Sequence, residues 1–147
     1  MEENKLPPIE EMTRIVHHLQ RVLRIQDWDI DVEYVDQYKI EHIMHETDVV
    51  ACCGRNRHRK EATISINVDH PEIKDGWYEA IAHELYHIVT GELYDLADDL
   101  IYELNSPQIT RAQLTRTDEL VVNTLAKTFV RIYPLEFVKE EGSEWPR

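Results

Sequence analysis

Apolar residues recur at spacings of three and four from Pro8 to Ile25, at Ile9, Met12, Ile15, Val16, Leu19, Val22 and Leu23. That period predicts an amphipathic helix with proline at its first turn. The period drops to two at residues 28–35, where Trp28, Ile30, Val32 and Tyr34 alternate with Asp29, Asp31 and Glu33. This is a strand with one buried and one wet face. Two more runs, 47–54 and 62–68, flank a basic stretch and predict neighbouring strands of an antiparallel hairpin. Residues 36–46 show no clear period. Helical spacing returns in Trp77–Gly91, with Ile81, Leu85, Ile88 and Val89 on one face and Gly91 as the stop. It continues from Glu92 to Asn105, and again from about Leu114 or Thr117 to Ile132, before Pro134. The order predicts an α+β fold: an N-terminal helix, a small three-stranded sheet, one central helix and two further C-terminal helices. One domain spanning 1–147 is expected, with 1–7 and 136–147 frayed.

Composition narrows the class. With 42% hydrophobic and 31% charged residues, the chain reads as an ordinary globular protein, and its apolar runs are too short to span a bilayer. The acidic start, Met1-Glu2-Glu3, carries no apolar stretch of signal-peptide type. Adjacent Cys52 and Cys53 cannot build a disulfide framework and should point to opposite faces of a strand, so a cytoplasmic setting is expected. A net charge of −13 argues against nucleic acid as a partner. Arg55, Arg57, His58, Arg59 and Lys60 form a local exception, read as a solvated hairpin tip, with an acidic partner as the alternative.

The chemistry concentrates in His83-Glu84-Leu85-Tyr86-His87. Residues four apart on a helix are rotated by only about 40°, so both imidazoles can face one metal ion. Glu84, offset by roughly 100°, is placed to act on a metal-bound water as general base. Catalytic zinc usually takes three protein ligands, so a third must come from elsewhere. All eight histidines lie at or before His87, which leaves a carboxylate as the main option: Asp95, Asp98, Asp99, Glu103, Asp118 or Glu119. Glu119 is favoured because it opens a helix that can pack beside the motif and brings Asn123 one turn later, where an amide can bond a ligand imidazole. Asp98, Asp99 and Glu103 read as a wet helix face and Asp118 as a helix cap.

His83-Glu84-x-x-His87 followed by Glu119-x-x-Val122-Asn123-x-Leu125-Ala126 resembles the gluzincin-type metallopeptidases, and within them the ImmA/IrrE-like family of bacterial and phage proteins. Val122 and Leu125 stand where that family usually has Ala and Phe, and Tyr86 where a small residue is common. The resemblance covers about residues 60 to 130, and Ala62-Thr63-Ile64-Ser65-Ile66-Asn67 looks like the edge strand along a zincin substrate cleft. It implies a zincin-like fold and a Zn²⁺-dependent peptidase that hydrolyses a protein or peptide substrate.

The expected mechanism has zinc held by His83, His87 and Glu119, with Glu84 moving the proton. Tyr86, Tyr94 and Tyr102 are equal candidates for stabilising the oxyanion. Two readings compete with a peptidase: a non-catalytic protein-binding module on a zincin scaffold, and helix-terminal histidines with no metal. A site of His42, His45, Cys52 and Cys53 is a weaker option. His17 and His18 read as packing residues.

Overall fold

The computed structural model describes residues 6–103 and 108–141. The first helix, α1 (Ile9–Val22), follows Pro8 and buries Met12, Ile15, Val16 and Leu19, the stripe its period predicts. His17 on this helix is exposed, while His18 is buried with its Nε2 2.7 Å from the Tyr133 hydroxyl.

Strands β1 (Asp29–Val35), β2 (Ala51–Asn56) and β3 (Glu61–Asn67) form a mixed sheet in the order β1-β3-β2. β3 runs parallel to β1 and antiparallel to β2, so the hairpin expected between the second and third strands is present. As the central strand, β3 is the most buried, with Ile64 and Ile66 fully enclosed. It is therefore not the edge strand that the resemblance suggested; β2 and β1 hold the edges. Residues 36–46 contain a short helix, α2 (Gln37–Met44), capped by the Asp36 carboxylate, which accepts from the Lys39 amide, and ended by His45 at φ 57°. α2 contributes Ile40 to a small cluster with Val35, Val49 and Cys52. Cys52 and Cys53 do face opposite ways: Cys53 packs against the main core instead, and both are free.

Beyond the sheet, the chain departs from the expected break at Gly91. A single 31-residue helix, α3 (Ile73–Glu103), runs through that glycine for about 46 Å. Gly91 is buried, and a Cβ there would lie 2.7 Å from the Arg55 guanidinium carbon. The glycine thus serves close approach of a side chain across the helix, not termination. The next helix, α4 (Gln108–Ile132), starts earlier than expected, so Glu119 and Asp118 lie well inside it and neither opens nor caps it. α4 packs antiparallel on α3: Asp98, Tyr94, Thr90 and His87 meet Arg111, Thr115 and Asp118 in descending order. Residues 135–141, expected mostly as frayed tail, form α5 (Leu135–Glu141), whose Val138 is buried in the core.

The result is α+β, with five helices and the three-stranded sheet among the described residues. The main core joins α1 and the sheet to Ile73, Trp77, Ile81, Leu85 and Ile88 of α3 and to Phe129 of α4. That packing fixes the rotation of α3 and so decides which of its residues face the opposite side. Among the described residues no helix is long and apolar enough to cross a membrane.

Candidate metal centre

With Leu85 and Ile88 turned into the core, helical geometry turns His83 and His87 toward α4. Their Nε2 atoms are 3.0 Å apart and their rings stand edge to face. Glu119 approaches both from α4, with Oε2 3.5 Å from His83 Nε2 and Oε1 3.2 Å from His87 Nε2. Among the described residues, this trio is the one group of three or more metal-ligating side chains that converges, all its ligand atoms lying within 4.8 Å of one another. His42 and His45 are exposed on and just after α2 and join no such group.

The donor set fits a dication. Atoms bound at about 2.0–2.1 Å around a tetrahedral centre are separated by roughly 3.3 Å; the two imidazole nitrogens are 3.0 Å apart, and each has one of the two Glu119 oxygens at 3.2 or 3.5 Å. Two imidazoles and one carboxylate also leave a fourth position for a water or substrate oxygen. A His83-His87-Glu119 group could therefore hold a metal ion.

Supporting contacts hold the ligands from behind. Asp118 Oδ2 lies 3.3 Å from His87 Nδ1, the ring nitrogen turned away from the trio. The Thr90 hydroxyl sits between the Tyr86 carbonyl, at 3.0 Å, and Asp118 Oδ1, at 3.1 Å. Such a carboxylate fixes the tautomer and orientation of a ligand imidazole. Asn123, one turn after Glu119, lines the same cleft as His83 and favours the charged form of its ring. Asp118, read from sequence as a cap, is the supporting residue that the sequence did not disclose. Its adjacency to Glu119 was visible, but the α3–α4 register that aims it at His87 was not.

Glu84 is only 6% exposed and has no hydrogen-bond partner among the described residues. Burial, and then the charge of Glu119, push its carboxyl up to about 8. His83 is held below the usual imidazole range by burial and then by His87, against the opposing pull of Glu119, Asn123 and Asp118. A neutral His83 is the form that can donate a lone pair.

The trio and Glu84 share a cleft of about 1010 Å³ between β2 and α3, with one side formed by Thr115, Asp118, Glu119 and Asn123 of α4. Ala51, Cys53 and Arg55 of β2 form the opposite wall, so the strand bordering the site is β2. Of the three tyrosines left open by the sequence, Tyr94 lines this cleft, Tyr86 stacks edge-on against Phe129, and Tyr102 is 76% exposed.

The basic stretch turns back on its own chain. Arg55 makes a two-pronged pair with Asp95 at 2.6 and 2.9 Å, Arg57 reaches Asp99 at 3.2 Å, and Lys60 contacts Asp27. Asp98, the remaining acid of that stretch, bonds Arg111.

No protein-family profile matches the chain, and neither a curated protein nor a solved structure does.

Proposed function

We propose that the chain is a zinc-dependent metallopeptidase of the ImmA/IrrE-like kind, hydrolysing peptide bonds in a protein or peptide substrate. One observation carries this reading: His83, His87 and Glu119 converge at metal-ligand distances in a cleft that also holds the buried, unpartnered Glu84. Zinc fits the nitrogen and oxygen donors, and when bound it supplies Lewis acidity and brings the pKa of water toward neutrality. His83, His87 and Glu119 would hold it. Asp118, with Oδ2 3.3 Å from Nδ1, would support the His87 ring from its far side.

Glu84 takes the proton of the attacking water on its carboxylate and returns it to the leaving nitrogen. In the metal-free protein that carboxyl is raised by burial and by Glu119; a dication held beside it would favour the carboxylate, the form that accepts a proton. The free edge of β2 along the cleft offers backbone groups to an extended substrate chain. Of the three tyrosines, Tyr94 is the one that lines the cleft, its hydroxyl 2.9 Å from Thr115 Oγ1, and it would be the one available to a bound substrate. Two free cysteines accord with a cytoplasmic setting.

The test is zinc content alongside turnover on a mixed peptide library read by mass spectrometry. Wild-type protein should carry about one zinc per chain. Glu84→Gln should keep the metal and lose at least about 10³-fold in turnover, whereas His83→Ala and Glu119→Ala should lose the metal. Full activity in Glu84→Gln would overturn the mechanism. Tight zinc binding with no turnover in the wild type would favour a protein-binding module instead.

A further inference from the structure

The two arms of the cleft differ in charge. From His83 toward the start of α3, the lining reads Ala80, Glu79, Gly76 and Glu72. The lining also takes in Glu46 and Asp48, from the segment between α2 and β2. All four carboxylates are exposed, and Asp48 alone has an ionisable partner, His70 at 2.9 Å. Glu46, Glu72 and Glu79 form no ion pair among the described residues. Arg55, the one Lys or Arg in the lining, stands toward the other arm with Tyr94 and Thr115, already held by Asp95. Between Glu72 and Glu79 the surface is open, since a Cβ added at Gly76 would meet nothing within 4 Å.

Carboxylates on an exposed helix are ordinarily just solvated. Here the same cavity also holds Glu84, nine-tenths buried and without a hydrogen-bond partner among the described residues, beside the convergent trio. Those features mark the cavity as one that takes a ligand, and the arm then states the ligand's charge. We propose that the Glu72–Glu79 arm, with Glu46 in the same lining, is a subsite for arginine or lysine side chains of an extended peptide lying in the cleft. This deepens the peptidase reading and rests on its premise that the cleft accepts a peptide.

Helix geometry sets the reach. Glu79 precedes His83 by one turn, about 6 Å, and Glu72 precedes it by roughly 16 Å. An extended chain rises about 3.3 Å per residue. Basic side chains should therefore lie roughly two to five residues from the scissile bond, and on one side of it only, because the other arm carries the occupied Arg55. A guanidinium or ammonium among several carboxylates gains most at low ionic strength.

The experiment uses the full chain carrying Glu84→Gln, loaded with zinc, and labelled dodecapeptides of one backbone sequence bearing Arg, Gln or Glu at alternate positions. Fluorescence anisotropy should show the Arg peptide binding at least tenfold tighter than the Gln peptide, with the Glu peptide weakest. Adding Glu72→Gln and Glu79→Gln should cut that advantage below threefold without changing zinc content. Both residues are exposed, so their replacement leaves the core intact. Equal affinity for the Arg and Gln peptides, or an Arg advantage that survives the double substitution, overturns the subsite. Turnover by the wild type separates the two ideas. Binding preference without cleavage removes the peptidase and keeps the subsite, whereas cleavage with no basic residue enriched on one side of the cut removes the subsite and keeps the peptidase.

Discussion

Two pairs of acids flank the same stretch of α3, and their partners differ. At one end Asp118 and Glu119 of α4 face His87 and His83; about two to three turns past His87, Asp95 and Asp99 of α3 face Arg55 and Arg57 of the hairpin. The guanidinium end is a permanent clamp. Arg55 stays charged at every accessible pH, its proton held more firmly still by the bond to Asp95. The imidazole end is convertible: its rings can be neutral, share lone pairs with a metal, and keep a carboxylate on the far nitrogen. A chain that places both on one rigid helix separates the group that must exchange partners from the group that must not.

The largest expected effect uses pH to tell the ends apart. In the folded metal-free protein the Glu84 carboxyl is raised from 4.5 to about 8. Between those values the unfolded chain binds fewer protons than the folded one, so stability is fully present below about 4.5 and is lost as pH rises through 8. The loss should be on the order of a few kcal/mol. Urea unfolding of metal-stripped protein from pH 5 to 8.5 should show that slope, offset in part near pH 6.5 by His83, whose lowered imidazole makes stability rise with pH. Glu84→Gln should therefore lose less stability than the wild type between pH 5 and 8.5; the same pH dependence in both proteins would deny that Glu84 carries the slope.

Asp118→Asn is the next largest. It should weaken zinc affinity by about 10- to 100-fold, measured by competition with a chelator, while leaving the metal-free unfolding midpoint nearly unchanged. Asp95→Asn should do the reverse. The pair is about one-fifth exposed and two-pronged, so its loss should cost about 2 kcal/mol of stability and leave zinc affinity within about threefold. Equal effects of the two substitutions on metal affinity would erase the contrast between the ends.

The smallest effect is diagnostic by sign. Gly91→Ala gains about 1 kcal/mol of helix propensity, but its Cβ would displace the Arg55 guanidinium, 2.7 Å away. A net destabilisation of up to about 1 kcal/mol is expected in the wild type, and a stabilisation of about 1 kcal/mol in the Arg55→Ala background, read from unfolding midpoints. A stabilising Gly91→Ala in both backgrounds would deny that Arg55 needs the gap.

What could be read from the sequence was local. The period of α1, the alternation of β1, the motif helix and the pairing of Glu119 with Asn123 depend on residues within a turn or two of each other, and the structure has them where the pattern put them. What could not be read depended on contacts between distant segments. Gly91 resembles a helix stop unless Arg55, 36 residues earlier, is known to cross it. Asp118 resembles a cap until the α3–α4 register aims it at His87. α2 buries a single large side chain, Ile40, too little to leave a period in the sequence. The place of β3 at the centre of the sheet follows from a parallel crossover that no hydrophobic pattern encodes.

Cys53 lines the cleft wall, where burial, and then the charge of Glu84, push its thiol up to about 12. At neutral pH that shift keeps the sulfur in its thiol form. Disulfide exchange, alkylation and peroxide attack all proceed through the thiolate. Both cysteines of the cleft lining are thus held toward the thiol, so an oxidant or electrophile diffusing into the cleft meets little of the nucleophilic form there.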